Sequence, residues 1–207
     1  MTRRVKAKFS LLRPVLLLLI SLGTFSTRAA TLVTFDDLSD NASGTWFTSP
    51  YYGLNWINIL HQNSILDTNL LGLTGNYYGM VSPSNTAAMS PGSEIASPGT
   101  NFNFLSAYLT GVWNSNLNIE VEGFNGAKEI YDMIVVASAT NPTLFTFNYL
   151  NIDELEFNSY GGLPAFSYGP GTAFVMDNFE FVPEPSTFLL AALGGVSLIA
   201  FLRRKRV

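Results

Sequence analysis

The residues that could do chemistry in this chain are carboxylates, and they come in pairs two positions apart. Glu120 and Glu122 sit in Leu117-Asn-Ile-Glu-Val-Glu-Gly123, and Glu154 and Glu156 flank Leu155. A glycosidase needs two carboxyls flanking a cleft at a controlled separation. On an alternating strand, however, positions i and i+2 share a face, so ordinary patterning produces the same pairs. Nucleophilic catalysis has less to draw on. His61 is the single histidine, the sole candidate base for a Ser-His-Asp triad. It lies beside Gln62-Asn63-Ser64 with no nucleophile-elbow pattern, and is expected as a solvent-exposed histidine at a strand end. Cysteine is absent, which removes thiol catalysis, thiolate metal sites and disulfides. One histidine also excludes zinc sites built on several imidazoles. No phosphate-binding loop occurs, and no Arg lies between residues 31 and 182 to orient an anionic substrate. Binding is favoured over catalysis. The alternative is an extracellular polysaccharide-active enzyme using one of the carboxylate pairs.

The elements that must position these residues read as β-structure. Leu117 to Gly123 alternates cleanly, with Leu117, Ile119 and Val121 on one side and Asn118, Glu120 and Glu122 on the other. A turn at Asn125-Gly126 leads into Glu129 to Ala137 and predicts a hairpin. Further strands are expected at Leu32–Phe35, Leu54–Ile59, Tyr77–Val81, Phe102–Trp113, Phe145–Phe147, Leu155–Phe157 and Val175–Phe181. Residues 38 to 53 and 82 to 100, rich in Ser, Asn, Gly and Pro, read as loops, the second with at most one short strand. No helical period is sustained between residues 31 and 182. Many short strands with turn signals between them make the domain all-β, a β-sandwich or jelly roll.

Both ends of the chain stand apart from this domain. Residues 1 to 30 have the layout of a signal peptide: Arg3, Arg4, Lys6 and Lys8, then an apolar core from Val15 to Leu22, then small residues at Ala29 and Ala30. Cleavage after Ala29 is expected, which engages the secretion translocon and signal peptidase. Residues 183 to 207 open with Pro183-Glu184-Pro185, continue with an apolar run from Phe188 to Leu202, and end in Arg203, Arg204, Lys205 and Arg206. The run is about 15 residues, short against the roughly 20 of a comfortable membrane helix. Its basic end orients it with the cations in the cytoplasm. This tail resembles the PEP-CTERM sorting signal of Gram-negative bacteria. The resemblance implies that an exosortase-type membrane protease removes the single C-terminal transmembrane helix and passes the preceding domain, residues 31 to 182, to the cell surface or extracellular matrix.

Charge narrows the partners. Of the eleven basic residues only Lys128 lies in that domain, whereas fourteen of the fifteen acids do. Such a surface repels nucleic acid and anionic lipid, which need the opposite sign. It attracts divalent cations able to bridge it to an acidic extracellular polysaccharide.

A second resemblance covers most of the domain. Phe102, Phe104, Ser106 and Tyr108, then Val-Glu-Gly-Phe-Asn-Gly from Val121 to Gly126, then Met176-Asp-Asn-Phe179, with Thr34-Phe-Asp-Asp37 at the start, look like the galactose-binding-like jelly rolls. The resemblance implies adjacent first and last strands, with a structural calcium near their seam held by Asp36, Asp37, Asp177 and Asn178. These are hard oxygen ligands of the right kind. The other reading is that backbone N–H groups satisfy the same carboxylates, since a buried mid-strand Asp177 demands one form of compensation. Saccharide contact is expected at the aromatic pairs Tyr51-Tyr52 and Tyr77-Tyr78. Trp56 and Trp113, inside strand-like runs, are expected in the core.

Overall fold

The computed structural model describes residues 29–184. The expected signal peptide up to residue 28, and Pro185, the expected transmembrane helix and Arg203, Arg204, Lys205 and Arg206 of the tail, lie outside that range.

Among the described residues, twelve strands and two short helices follow in the order β1 (Thr31–Val33), β2 (Thr45–Trp46), β3 (Asn55–Asn63), α1 (Ser64–Leu71), α2 (Gly75–Tyr78), β4 (Asn85–Ala96), β5 (Phe102–Gly111), β6 (Asn114–Ser115), β7 (Leu117–Asn125), β8 (Lys128–Ala137), β9 (Thr143–Ile152), β10 (Glu154–Tyr160), β11 (Leu163–Pro164) and β12 (Phe174–Pro183). The main sheet has ten strands, and its path runs β8-β7-β10-β4-β12-β5-β9, with β1 on β12 and β3 joining β4 to β2. All of its pairings are antiparallel. The all-β sandwich expected from the strand pattern is present.

One strand makes it a sandwich rather than a flat sheet. The first half of β4 pairs with β12, Ala87 opposite Met176, and its second half with β10, Ile95 opposite Leu155. Between them Ser90-Pro91-Gly92 bends the strand. Gly92 takes φ 80° there, a conformation side-chain-bearing residues avoid. Across the bend Asn58 Nδ2 donates to the Gly92 carbonyl at 3.1 Å, and Ser93 Oγ donates to the Asn58 carbonyl at 2.9 Å. The two halves of the molecule therefore share β3 and β4 and fold over one another. The far ends of the path also meet, because Tyr131 on β8 stacks on Tyr149 of β9 at 4.5 Å. The sandwich is barrel-like.

The core between the layers is built from phenylalanine. Phe35, Phe102, Phe104, Phe157, Phe174, Phe179 and Phe181 are all fully buried. Phe104 stacks on Phe147 at 4.7 Å and on Phe179 at 4.9 Å, which adds ring–ring contact to simple area burial. Trp56 belongs to this core, as expected.

Three expectations need correction. Residues 82 to 100 do not form a long loop: they contain β4, the twelve-residue hub of the sheet. Its Ala, Ser, Pro and Gly content reflects a strand crowded on both edges and bent in the middle. Tyr77 does not begin a strand, because Gly75–Tyr78 is a helical turn capped by Thr74. Nor is the domain free of helix. Asn63 caps α1, its side-chain oxygen accepting from the N–H groups of Ile65 at 3.0 Å and Leu66 at 2.9 Å. Eight residues were too short for a helical period to show.

Candidate functional site

Two strands, β7 and β10, carry the paired carboxylates, and the register sorts them. Glu156 on β10 lies opposite Glu94 on β4 and Glu122 on β7, and Glu122 lies opposite Asp132 on β8. Four acids thus form a row across four neighbouring strands. Burial, then Glu120, Glu129 and Glu156, push the Glu122 carboxyl up from its ordinary range. Burial, then Glu94 and Glu156, do the same for Glu154. The pairs arise from strand alternation.

His61 is not exposed. It is 5% accessible, lies edge-on to Phe47 at 5.4 Å, and its Nδ1 has no partner among the described residues. Burial lowers its pKa, so the ring is neutral and packed. Pairing of His61 with Thr45 on β2 and Ala87 on β4 encloses it, which a strand-end reading did not anticipate.

Asp177 is fully buried, and hydrogen bonds surround its carboxylate. Oδ2 accepts from the N–H groups of Val81 at 2.7 Å and Ser82 at 2.8 Å; Oδ1 accepts from Ser82 Oγ at 3.0 Å and from the N–H of Asn178 at 2.7 Å. Burial still raises it, to about 6, against the pull of these donors. Asp36 accepts from the Asn85 N–H at 3.0 Å, and Asp37 accepts from the Tyr51 hydroxyl. The seam itself is as expected, Thr31 opposite Phe181 and Val33 opposite Phe179. Each of the three aspartates has its own donors, and among the described residues no group of three or more His, Cys, Asp or Glu side chains is placed to hold a metal.

The expected aromatic pairs separate. Tyr51 packs on Phe35, Phe47 and Trp56, and its carbonyl accepts from Trp56 Nε1 at 3.0 Å. Only Tyr52 of that pair is well exposed. Tyr77 and Tyr78 stand instead at the end of the sandwich where β5 finishes and β12 begins. Gly75 N–H donates to the Val112 carbonyl at 3.0 Å, and Val112 N–H donates to the Ala173 carbonyl at 2.8 Å. Tyr78 lies parallel to Phe166 at 6.1 Å and edge-on to Tyr77 at 5.6 Å. Trp113 meets Tyr168 at 6.0 Å, and the Trp113 carbonyl accepts from the Ala165 N–H at 2.8 Å. Tyr77 is 37% and Tyr168 61% exposed, so these two are the most open to solvent of the group.

Two glycines make the assembly feasible. A Cβ on Gly75 would lie 1.8 Å from the Gly111 carbonyl oxygen, so only glycine lets α2 dock there. A Cβ on Gly171 would lie 2.4 Å from the Trp113 ring. Trp113 is half-buried at this rim rather than in the core. The sequence reading did not place Trp113, Phe166 and Tyr168 in a site. Aromatic residues inside the Gly- and Pro-rich stretch from Gly161 to Gly171 were the available signal.

The described residues thus form an antiparallel β-sandwich with a group of aromatic residues at one end. The family model for the PEP-CTERM protein-sorting motif matches residues 181–206. This motif implies an exported protein that is processed by an exosortase, a membrane protease. The tail beyond Glu184 lies outside the described residues, and among those described no helix is long and apolar enough to cross a membrane. No curated protein matches the chain in sequence. Solved structures similar to it include a DUF4465 family protein from Bacteroides ovatus (10% identity, TM-score 0.45, covering 76% of this chain and 100% of that one). Another is the K1 cleaved adhesin domain of Lys-gingipain from Porphyromonas gingivalis (8% identity, TM-score 0.42, 76% and 99%). A third is a CBM4 structure (10% identity, TM-score 0.29, 61% and 71%). Values of this size do not establish a common family.

Proposed function

We propose that this is an exported, non-catalytic binding module, delivered by its sorting motif to the cell surface or extracellular matrix, and that its aromatic end contacts saccharide. The observation that carries this reading is the convergence of Tyr77 and Tyr78, Trp113, and Phe166 and Tyr168 from three distant segments onto one exposed end. Flat rings suit the apolar faces of sugar rings, and amphipathic Tyr and Trp tolerate such half-wet positions. Calcium enters this reading as a bridge between the acidic domain and an acidic polymer. Asp177 is not needed for that, since four donors already satisfy it.

Residues 29–184, which hold the whole sheet and its core, are the material for the test. They are run through gels containing individual polysaccharides, with calcium and then with chelator, while reducing ends are assayed. Retardation without sugar release, lost in Tyr77→Ala and Tyr168→Ala at unchanged Tm, is the expected result. Release of reducing ends would make the protein the polysaccharide-active enzyme instead. Retardation that survives both substitutions would move the ligand elsewhere.

A further inference from the structure

The chain enters and leaves the sandwich at the same end. Thr31 pairs with Phe181 across the β1–β12 seam. Pro183 pairs with Phe102, and the Glu184 N–H donates to the Asn101 carbonyl at 2.9 Å. The first residue of the sorting triplet is therefore the last of β12, and the second is still hydrogen-bonded to the domain. The aromatic group lies at the other end of the same strand, where Phe174 pairs with Gly111. From Phe174 to Pro183 at about 3.3 Å per residue is roughly 30 Å.

Only Pro185, Ser186 and Thr187 separate Glu184 from Phe188, where the apolar run starts. Whatever their conformation, the four steps from Glu184 to Phe188 reach at most about 14 Å. The headgroup layer on one side of a bilayer takes up roughly half of that. We infer that, before processing, the domain stands end-on against the lipid headgroups, with its loops at residues 97–101, 125–127 and 151–153 facing the membrane and its aromatic end pointing away from it. The stance rests on the expected insertion of the Phe188–Leu202 run in the bilayer, and saccharide binding by the outward end rests on the function proposed above.

The facing rim is braced for a fixed stance. Asn101 Nδ2 donates to Asn151 Oδ1 at 2.7 Å, and Asn125 Nδ2 donates to the Asn151 carbonyl at 2.7 Å. Gly126 N–H donates to both Asp153 carboxylate oxygens, at 3.0 and 2.9 Å. Carboxylates at Asp153, Glu154, Glu129 and Glu184 outnumber Lys128 there, so the short connection, and not attraction to anionic lipid, holds the rim at the surface. The processing protease consequently meets the triplet at the edge of a folded domain.

The absence of cysteine makes the test direct, because Thr100→Cys on the rim and Ser167→Cys at the aromatic end each give one label site. Both positions are exposed. The full chain, labelled with a fluorophore, is reconstituted into phosphatidylcholine vesicles carrying a headgroup nitroxide quencher. Quenching several-fold stronger at position 100 than at 167 is expected. A Gly-Ser spacer of about twelve residues between Thr187 and Phe188, roughly 20 Å in mean reach, should bring the two values together. Equal, inverted or absent quenching in the unspaced chain, or a difference that survives the spacer, overturns the end-on stance. Polysaccharide retardation of the same labelled chains is read separately, so failure of one reading is told from failure of the other.

Discussion

Glu122 lies directly opposite Glu156 in the β7–β10 ladder, with Asp132 opposite its other side. Like charges at directly paired positions destabilise a sheet by a few tenths of a kcal/mol up to about 1 kcal/mol. Burial, then Glu120, Glu129 and Glu156, raise the Glu122 pKa above its unfolded value. A raised carboxyl favours the folded state when protonated, so this group's contribution improves as pH falls through its folded pKa and worsens above it. Glu122→Gln should accordingly raise Tm by roughly 1–3 °C at neutral pH. The gain should shrink in high salt and vanish at low pH. Calorimetry over pH and salt checks it; a destabilised variant would show that the Asn158 contact to Glu122 outweighs the repulsion.

Asp177 should behave as a structural anchor for the Val81–Ser82 turn. Asp177→Ala leaves the backbone N–H groups of Val81, Ser82 and Asn178 without their acceptor, each costing about 1–3 kcal/mol if it stays buried. A loss of at least about 3 kcal/mol is expected, equal in calcium and in chelator. A loss confined to calcium-containing buffer would establish a metal ligand at this position. The wild-type carboxyl, at about 6, lies above its unfolded range near 4. Its contribution to stability should therefore grow as pH falls from 7 toward 4, readable by comparing wild type and variant across that window.

Gly75→Ala should separate the aromatic end from the rest of the fold. The added methyl meets the Gly111 carbonyl oxygen, so α2 must move and carry Tyr77 and Tyr78 with it. Overpacking of this kind costs about 1–3 kcal/mol. Polysaccharide retardation should weaken by more than the stability loss explains, because the folded fraction stays near unity in a domain of ordinary stability. Retention unchanged at a lowered Tm would show that α2 takes no part in binding.

Legibility followed the physics of each region. Leu117 to Gly123 alternates because one side of β7 is buried and the other faces solvent, and its hairpin with β8 was visible from Asn125-Gly126. That hairpin pairs Ile119 with Val135 and Glu120 with Ile134. β4 was hidden because its small residues are selected by neighbours on both edges and by the bend at Ser90–Gly92, which no local pattern records. His61 was misread for the same reason: its enclosure comes from β2 and β4, distant in sequence or weak in signal. Tyr77 and Tyr78 were singled out in the sequence as a saccharide-contact pair, but the partners that gather around them depend on the β5–β12 pairing. Sorting was legible outright, because a linear motif needs no tertiary context to be read.

Closure of the sandwich depends on Tyr149, which reaches from one end of the sheet path to the other. Its ring stacks on Tyr131 at 4.5 Å with the planes 9° apart, and its hydroxyl donates to the Val121 carbonyl at 2.8 Å. Burial, then Asp132 and Glu122, hold the phenol well above its ordinary pKa, so it remains a donor at any working pH. Tyr149→Phe keeps the ring and removes the donor, leaving a buried carbonyl without it; a loss of about 1–2 kcal/mol is expected. Tyr131→Ala removes the stack and keeps the hydrogen bond. In the double-mutant cycle of Tyr131→Ala with Tyr149→Ala, a coupling of about 0.5–1.5 kcal/mol should appear, the size measured for aromatic pairs. Zero coupling would mean that the two ends of the sheet merely lie close together, and that Val121 alone fixes β9 against β7.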